Sequence, residues 1–227
     1  MTSNDFQSFI SQLRQSLSQP LPGPEAWKAM IPPTRKELLR QHPDNEKAKP
    51  SAVLILFYPS GKDIRFVLIR RAVYNGVHSG QIAFPGGQYD PEDNNLQTTA
   101  LREAKEETGI HPEAVTLLGQ LTKVYIPPSH FDVYPFVGFT ETKPDFKVDN
   151  TETKAILEIN LQDFLNPTTE TVKTILSRNG KKVQVPCFYL NGHVVWGATA
   201  MILSELLEVI DRVSGNSKIQ SLFLFKK

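Results

Sequence analysis

The stretch GGQYDPEDNNLQTTALREAKEETGI, residues 86–110, divides into a loop and a helix whose carboxylates crowd one face. In the first half, two glycines, a proline and four Asp/Asn residues break regular structure. In the second half, residues 101–108 read as a helix that stops at Gly109, a good terminator. At roughly 100° per residue, Glu103, Glu106 and Glu107 fall within an arc of about 100°. Glu103 and Glu107 stack one above the other, and like charges so placed repel by a few tenths of a kcal/mol when exposed. Acidic helix faces commonly do no more than face solvent. Here Arg102 and Lys105 are too few to neutralise the cluster, and an acidic loop runs straight into the helix. Such hard oxygen donors suit Mg²⁺, which keeps several waters and links protein carboxylates to phosphates. The loop DPEDNN does not place ligands and glycine in EF-hand order, which excludes that motif.

Outward from this segment, 227 residues allow one well-buried core with an appended element. AVLILFY (52–58) and DIRFVLIRR (63–71), joined by a turn around Ser60 and Gly61, predict a hairpin of two central strands. AVTLLGQLTKVYI (114–126) and DVYPFVGFT (132–140) predict a further pair, residues 155–161 another strand, and residues 183–190 with 193–196 a late hairpin. A closing helix spans residues 199–215, with Met201, Ile202, Leu206, Leu207 and Ile210 as its apolar positions. Strands on both sides of isolated helices predict a mixed sheet covered by helices. Residues 1–49 differ. Phe6, Phe9, Ile10, Leu13 and Leu17 recur at helical spacing. Pro20, Pro22, Gly23, Pro24, Pro32, Pro33 and Pro43 then interrupt the chain, with one further turn over residues 37–41. This predicts an N-terminal arm (1–49) ahead of the main domain (50–227). The arm packs on that domain or on a second subunit, which leaves a homodimer open, or it is a disordered lead.

Twenty-five basic against 24 acidic residues leave a formal charge of +1, so no global field holds a polyanion. Nucleic acid and membrane are therefore not expected partners, and any anion, such as a small molecule, is bound locally. Cys187 is the single cysteine, so it has no internal disulfide partner and reads as a buried apolar residue. No basic start with an apolar run follows Met1, and no stretch approaches the roughly 20 apolar residues of a membrane span. The closing Phe-Lys-Lys matches neither a peroxisomal tripeptide nor a prenylation box. A cytoplasmic location is expected.

With Gly86-Gly87 ahead of it, REAKEETGI (102–110) resembles the Nudix box, G-x5-E-x7-R-E-U-x-E-E-x-G-U, where U is a bulky aliphatic residue. Ala104 fits a U position loosely. Counted from Gly87, the early glutamate position holds Asp93, and eight residues rather than seven precede Arg102. The resemblance implies an α/β/α sandwich that uses Mg²⁺ or Mn²⁺ to hydrolyse a nucleoside diphosphate linked to another group. It implies Glu103 and Glu107 as principal metal ligands and Glu106 as a third ligand or support. Arg102 would orient the glutamates, and Gly86-Gly87 would allow the tight turn before the helix. Glu152 is a candidate general base.

Upstream, VLIRRAVYNGVHSGQIAFPGG (67–87) resembles the signature of the coenzyme A diphosphatase branch, with Arg71-Ala72, Gly80 and Phe84-Pro85-Gly86-Gly87 at the expected spacing. Ile69 stands where threonine is usual and Gly76 where a second arginine is usual. Ser129, Phe131, Val133 and Pro135 also match that branch. The resemblance implies cleavage of coenzyme A or acyl-coenzyme A to 3′,5′-ADP and (acyl-)4′-phosphopantetheine. Arginine's planar fork suits phosphate oxygens, and strand alternation lets only one of Arg70 and Arg71 face the site; Arg71 carries the motif match. His78 and Ser79 are candidate substrate contacts, with a local hydrogen-bond role as the alternative for His78, and Tyr125, Phe131 and Tyr134 could stack on adenine or belong to the core. Two alternatives stay open: another nucleoside diphosphate derivative such as ADP-ribose or a dinucleoside polyphosphate, and a catalytically silent binding module.

Overall fold

The computed structural model describes residues 3–41, 48–73, 78–148, 151–176 and 180–214; Pro43, Gly76 and Gly215 lie outside them. In chain order come α1 (Ser3–Leu17), α2 (Pro24–Trp27), α3 (Arg35–Gln41), β1 (Lys49–Ser60), β2 (Asp63–Arg71), β3 (Ile82–Ala83) and β4 (Gly86–Gln88). Then follow α4 (Leu96–Thr108), β5 (Thr116–Gln120), β6 (Val124–Ile126), β7 (Phe131–Phe139), β8 (Thr153–Asn160) and α5 (Leu161–Phe164). The C-terminal part holds β9 (Glu170–Leu176), β10 (Lys182–Leu190), β11 (His193–Trp196) and α6 (Ala198–Ser214).

β1 is apolar from Ala52 to Tyr58 because both its faces are covered there. Leu54, Leu56 and Tyr58 point to α4, and Ile55 and Phe57 point to the opposite core. It pairs antiparallel with β2 through Phe57↔Phe66 and with β4 through Ala52↔Gly87, and parallel with β7 through Leu54↔Phe136. β5 and β6 both pair with β7, and β3 and β8 with β2, which completes an eight-stranded mixed sheet. α4 covers one face; α1 and α6 cover the other. The expected α/β/α sandwich is the fold. A second sheet of three strands, in the order β11-β10-β9, adds Phe188, Leu190 and Val195 to the larger core.

The N-terminal arm packs on the main domain. Its apolar stripe, Phe6, Phe9, Ile10 and Leu13, is fully buried, and Phe9 meets Phe57 edge-on at 5.4 Å. Glu205 of α6 ties the arm down: its buried carboxylate accepts from the Gly23 N–H, the Trp27 Nε1–H, and the Thr122 N–H and hydroxyl. Those last bonds also explain a departure from expectation. Residues 114–126 form two strands instead of one, because Leu121 to Lys123 leave the ladder where Thr122 turns to Glu205. β8 spans Thr153–Asn160, and Leu161, expected as strand, opens α5 where the Asn160 side chain accepts from the Gln162 N–H. β9 was not anticipated either; its Glu170–Leu176 run is half polar because one face is open to solvent. Cys187 is buried, as its composition class predicts. No helix among the described residues is long and apolar enough to cross a membrane.

Candidate active site

The helix α4 places the carboxylates. It starts at Asn95, whose side chain accepts from the Thr98 N–H, and ends at Gly109 in a left-handed conformation. Ala100 and Ala104, one turn apart and wholly buried, pack against β1. The small side chain at position 104 thus brings the helix close to the sheet and carries Glu103 and Glu107 down to the β4 turn.

That turn requires glycine twice. At Gly86 φ is +151°, and a Cβ would lie 2.3 Å from the Ala52 carbonyl oxygen. A Cβ on Gly87 would lie 2.4 Å from the Glu103 carboxylate. The second clash is with the end of a flexible side chain, so Gly87→Ala is expected to fold normally while displacing Glu103. Turnover should fall about a hundredfold, the cost of a misplacement on the order of 1 Å, with the melting temperature little changed; steady-state kinetics alongside thermal denaturation check this.

Glu107 is buried beneath Gly86. Its Oε2 accepts from the Gly86 N–H at 2.8 Å, and its Oε1 lies 3.6 Å from Arg71 Nη1 with no hydrogen-bond partner. Burial pushes its pKa up to about 7, against the opposing pull of Gly86 and Arg71; Glu103 and Glu152 add to the rise. Burial likewise raises Glu103, opposed by Arg102. Surroundings that penalise these charges are relieved by a cation, and the donors are hard oxygens, so Glu103 and Glu107 fit Mg²⁺ or Mn²⁺. Among the described residues no three His, Cys, Asp or Glu side chains form a ready-made cage. Mg²⁺ needs none, because one or two carboxylates with waters and substrate phosphates complete its shell.

Arg102 organises this face. It donates to Glu103 at 3.0 Å, to Glu106 at 3.2 Å and, through Nε and Nη2, to both oxygens of Asp93 at 3.0 Å. Asp93 also accepts from the Thr99 hydroxyl and the Asp90 N–H. Its oxygens are engaged by protein donors, so this loop residue anchors Arg102, and the extra residue in the loop is accommodated without altering α4. These bonds hold the Asp93 carboxyl below its ordinary range, Arg102 contributing most. The stabilisation is therefore present above the unfolded pKa of about 3.9 and is lost as pH falls through the lower folded value. Asp93→Asn is expected to cost about 2–4 kcal/mol at neutral pH and to flatten the acid limb of stability; urea unfolding between pH 3 and 7 measures both.

A cleft of about 1280 Å³ opens above these groups. Arg71, His78, Gly86, Gly87, Glu103 and Glu152 all line it, so the structure gathers most of the residues singled out in the sequence. His78 is held by Gln81, and burial lowers its pKa. Arg70 is not in the lining, in keeping with strand alternation, and Glu106 points to solvent on Arg102 instead of into the cleft. Of the aromatic candidates Phe131 reaches the cleft; Tyr134 belongs to the α4 side, and the Tyr125 hydroxyl is bonded to His130. The remaining wall is largely apolar, with Phe84, Ile175, Val183, Val185, Trp196 and Met201, and carries two cations, Arg35 from α3 and Lys181 ahead of β10. Sequence reading missed Arg35 and the β9–β10 wall, since neither belongs to a local motif.

A family model described as "NUDIX domain" matches residues 48–175, more than half of the chain. "Uncharacterized Nudix hydrolase NudL" of Photorhabdus laumondii is 30% identical over 184 residues, covering 81% of this chain and 94% of that protein. The protein of the same description in Yersinia enterocolitica is 35% identical over 145 residues, covering 64% and 73% of the two chains. Among solved structures, a MutT/nudix family protein from Enterococcus faecalis aligns over 85% of this chain and 74% of its own, at 16% identity and a TM-score of 0.49.

Proposed function

Because the chain belongs to the Nudix family, we propose that it hydrolyses the diphosphate of coenzyme A or acyl-coenzyme A, releasing 3′,5′-ADP and (acyl-)4′-phosphopantetheine. One observation carries the substrate choice. A single cleft joins the carboxylates and Arg71 to a long apolar wall from β9, β10 and α6, and at about 1280 Å³ it exceeds the roughly 300–1,000 Å³ of ordinary ligand sites. A long thiol-bearing arm on one side of a diphosphate and a nucleoside on the other make use of such a shape.

Glu103 and Glu107 would hold Mg²⁺ or Mn²⁺. When bound, the ion supplies neutralisation of diphosphate charge and acidification of an attacking water. Arg102 fixes Glu103, and the Gly86 N–H fixes Glu107, so both are oriented before substrate arrives. Arg71, a quarter exposed in the cleft and 3.6 Å from Glu107, exchanges that weak ion pair for a phosphate oxygen. Glu152 lines the cleft near Glu103 and Glu107 and takes the proton of the attacking water. The water oxygen bonds to one phosphorus, and the bridging oxygen leaves with the other.

A panel of coenzyme A, acetyl-coenzyme A, ADP-ribose and a dinucleoside polyphosphate, each with Mg²⁺ or Mn²⁺, tests the assignment. The coenzyme A compounds should show the highest kcat/KM. A tenfold or greater advantage for either of the others would replace the substrate and keep the reaction.

A further inference from the structure

The cleft runs away from the carboxylates across the sheet. Gly87 and Gln88 of β4 pair with Ala52 and Ser51 of β1, these with Tyr134 and Val133 of β7, and Val133 with Val124 of β6. Three strand spacings, roughly 14 Å, thus separate the residue against Glu103 from β6. There Arg35, at the start of α3, closes the cleft with Ile126, Ser129 and Phe131. Arg35 Nη2 donates to the Tyr125 carbonyl at 2.8 Å. Burial penalises its charge, and no carboxylate among the described residues is paired with it. In the same wall the Ser129 hydroxyl oxygen is buried with no hydrogen-bond partner. A desolvated guanidinium without an acid, lining the same cleft as an unpartnered hydroxyl, is suited to an anion with several acceptor oxygens. Arg35 also lies in the N-terminal arm, outside the residues 48–175 that the family model matches.

On the reading that coenzyme A is the substrate, we propose that Arg35, together with Ser129 of the same cleft wall, recognises the phosphomonoester on the substrate's ribose. The arm thereby becomes part of the substrate site.

Calorimetric titration of 3′,5′-ADP and 5′-AMP into wild type, Arg35→Gln and Arg35→Lys tests this without relying on turnover. Wild type should bind 3′,5′-ADP at least tenfold more tightly than 5′-AMP. Arg35→Gln should abolish that preference and leave 5′-AMP binding unchanged, and Arg35→Lys should restore part of it. In kinetics, Arg35→Gln should raise KM for coenzyme A tenfold or more, with kcat and the hydrolysis of 3′-dephospho-coenzyme A little moved. A wild type without the preference, or a preference that survives Arg35→Gln, overturns the proposal. So does equal weakening toward both nucleotides, the signature of a purely structural bond to Tyr125. If coenzyme A is cleaved and the preference is absent, this inference alone falls. If the preference depends on Arg35 but coenzyme A is not cleaved, the substrate assignment falls and the phosphate site stands.

Discussion

Glu107→Gln is expected to lower kcat by about a thousandfold or more, a loss of roughly 4 kcal/mol of transition-state stabilisation, with the fold intact. The glutamine retains an oxygen for the Gly86 N–H, so the β4 turn keeps its bond. What disappears is a buried negative charge beside Glu103 and Glu152, the charge that draws in the divalent cation. The sign of the accompanying stability change follows from the raised pKa. In metal-free protein the folded carboxyl titrates at about 7, above the unfolded value of about 4.3. Wild type therefore loses stability as pH rises from about 4.5 to about 7, and the variant does not. Melting in EDTA should show the variant at least as stable as wild type at pH 8, with the difference shrinking toward pH 5. A large loss of stability in EDTA at pH 8 would make Glu107 a structural residue.

Glu205→Ala should destabilise the protein by about 3–5 kcal/mol, because several buried neutral donors lose their acceptor at roughly 1–3 kcal/mol each. Glu205 is fully buried and collects donors from Gly23, Trp27 and Thr122, so the substitution orphans bonds from both the arm and the β5–β6 junction. Unfolding by urea, followed through Trp27 fluorescence in a Trp196→Phe background and through far-ultraviolet circular dichroism, should shift as one transition. Two separated transitions would mean that the arm unfolds independently of the sheet.

The contrast between Glu107 and Glu205 shows what local sequence conveys. Glu103 and Glu107 were legible because a helix repeats every 3.6 residues and the partners they need, Gly86, Gly87 and Arg102, lie within about two dozen positions. The hairpin of β1 and β2 was legible for the same reason: its pairing is local and its residues are β-branched and apolar. Glu205 lies in the closing helix, where no local motif marks it. Its donors are 83 to 182 residues away, and no periodicity reports a contact of that range. Asp93 is intermediate. Its position in the loop was visible, but its bidentate grip on Arg102 depends on how the loop folds back. Arg35 shows the limit most clearly, since a single arginine in a proline-broken arm carries no pattern, and only the strand order β4-β1-β7-β6 sets it at the end of the cleft.

The most direct test of the central claim is the product of coenzyme A hydrolysis. Wild type and Glu103→Gln are each incubated with coenzyme A and Mn²⁺ or Mg²⁺, and the quenched mixtures are resolved by chromatography. With wild type, 3′,5′-ADP and 4′-phosphopantetheine should appear in equal amounts and at equal rates, and both should be lost in the Glu103→Gln mixture. Intact coenzyme A after prolonged incubation with wild type, or equal product from both proteins, would contradict the account.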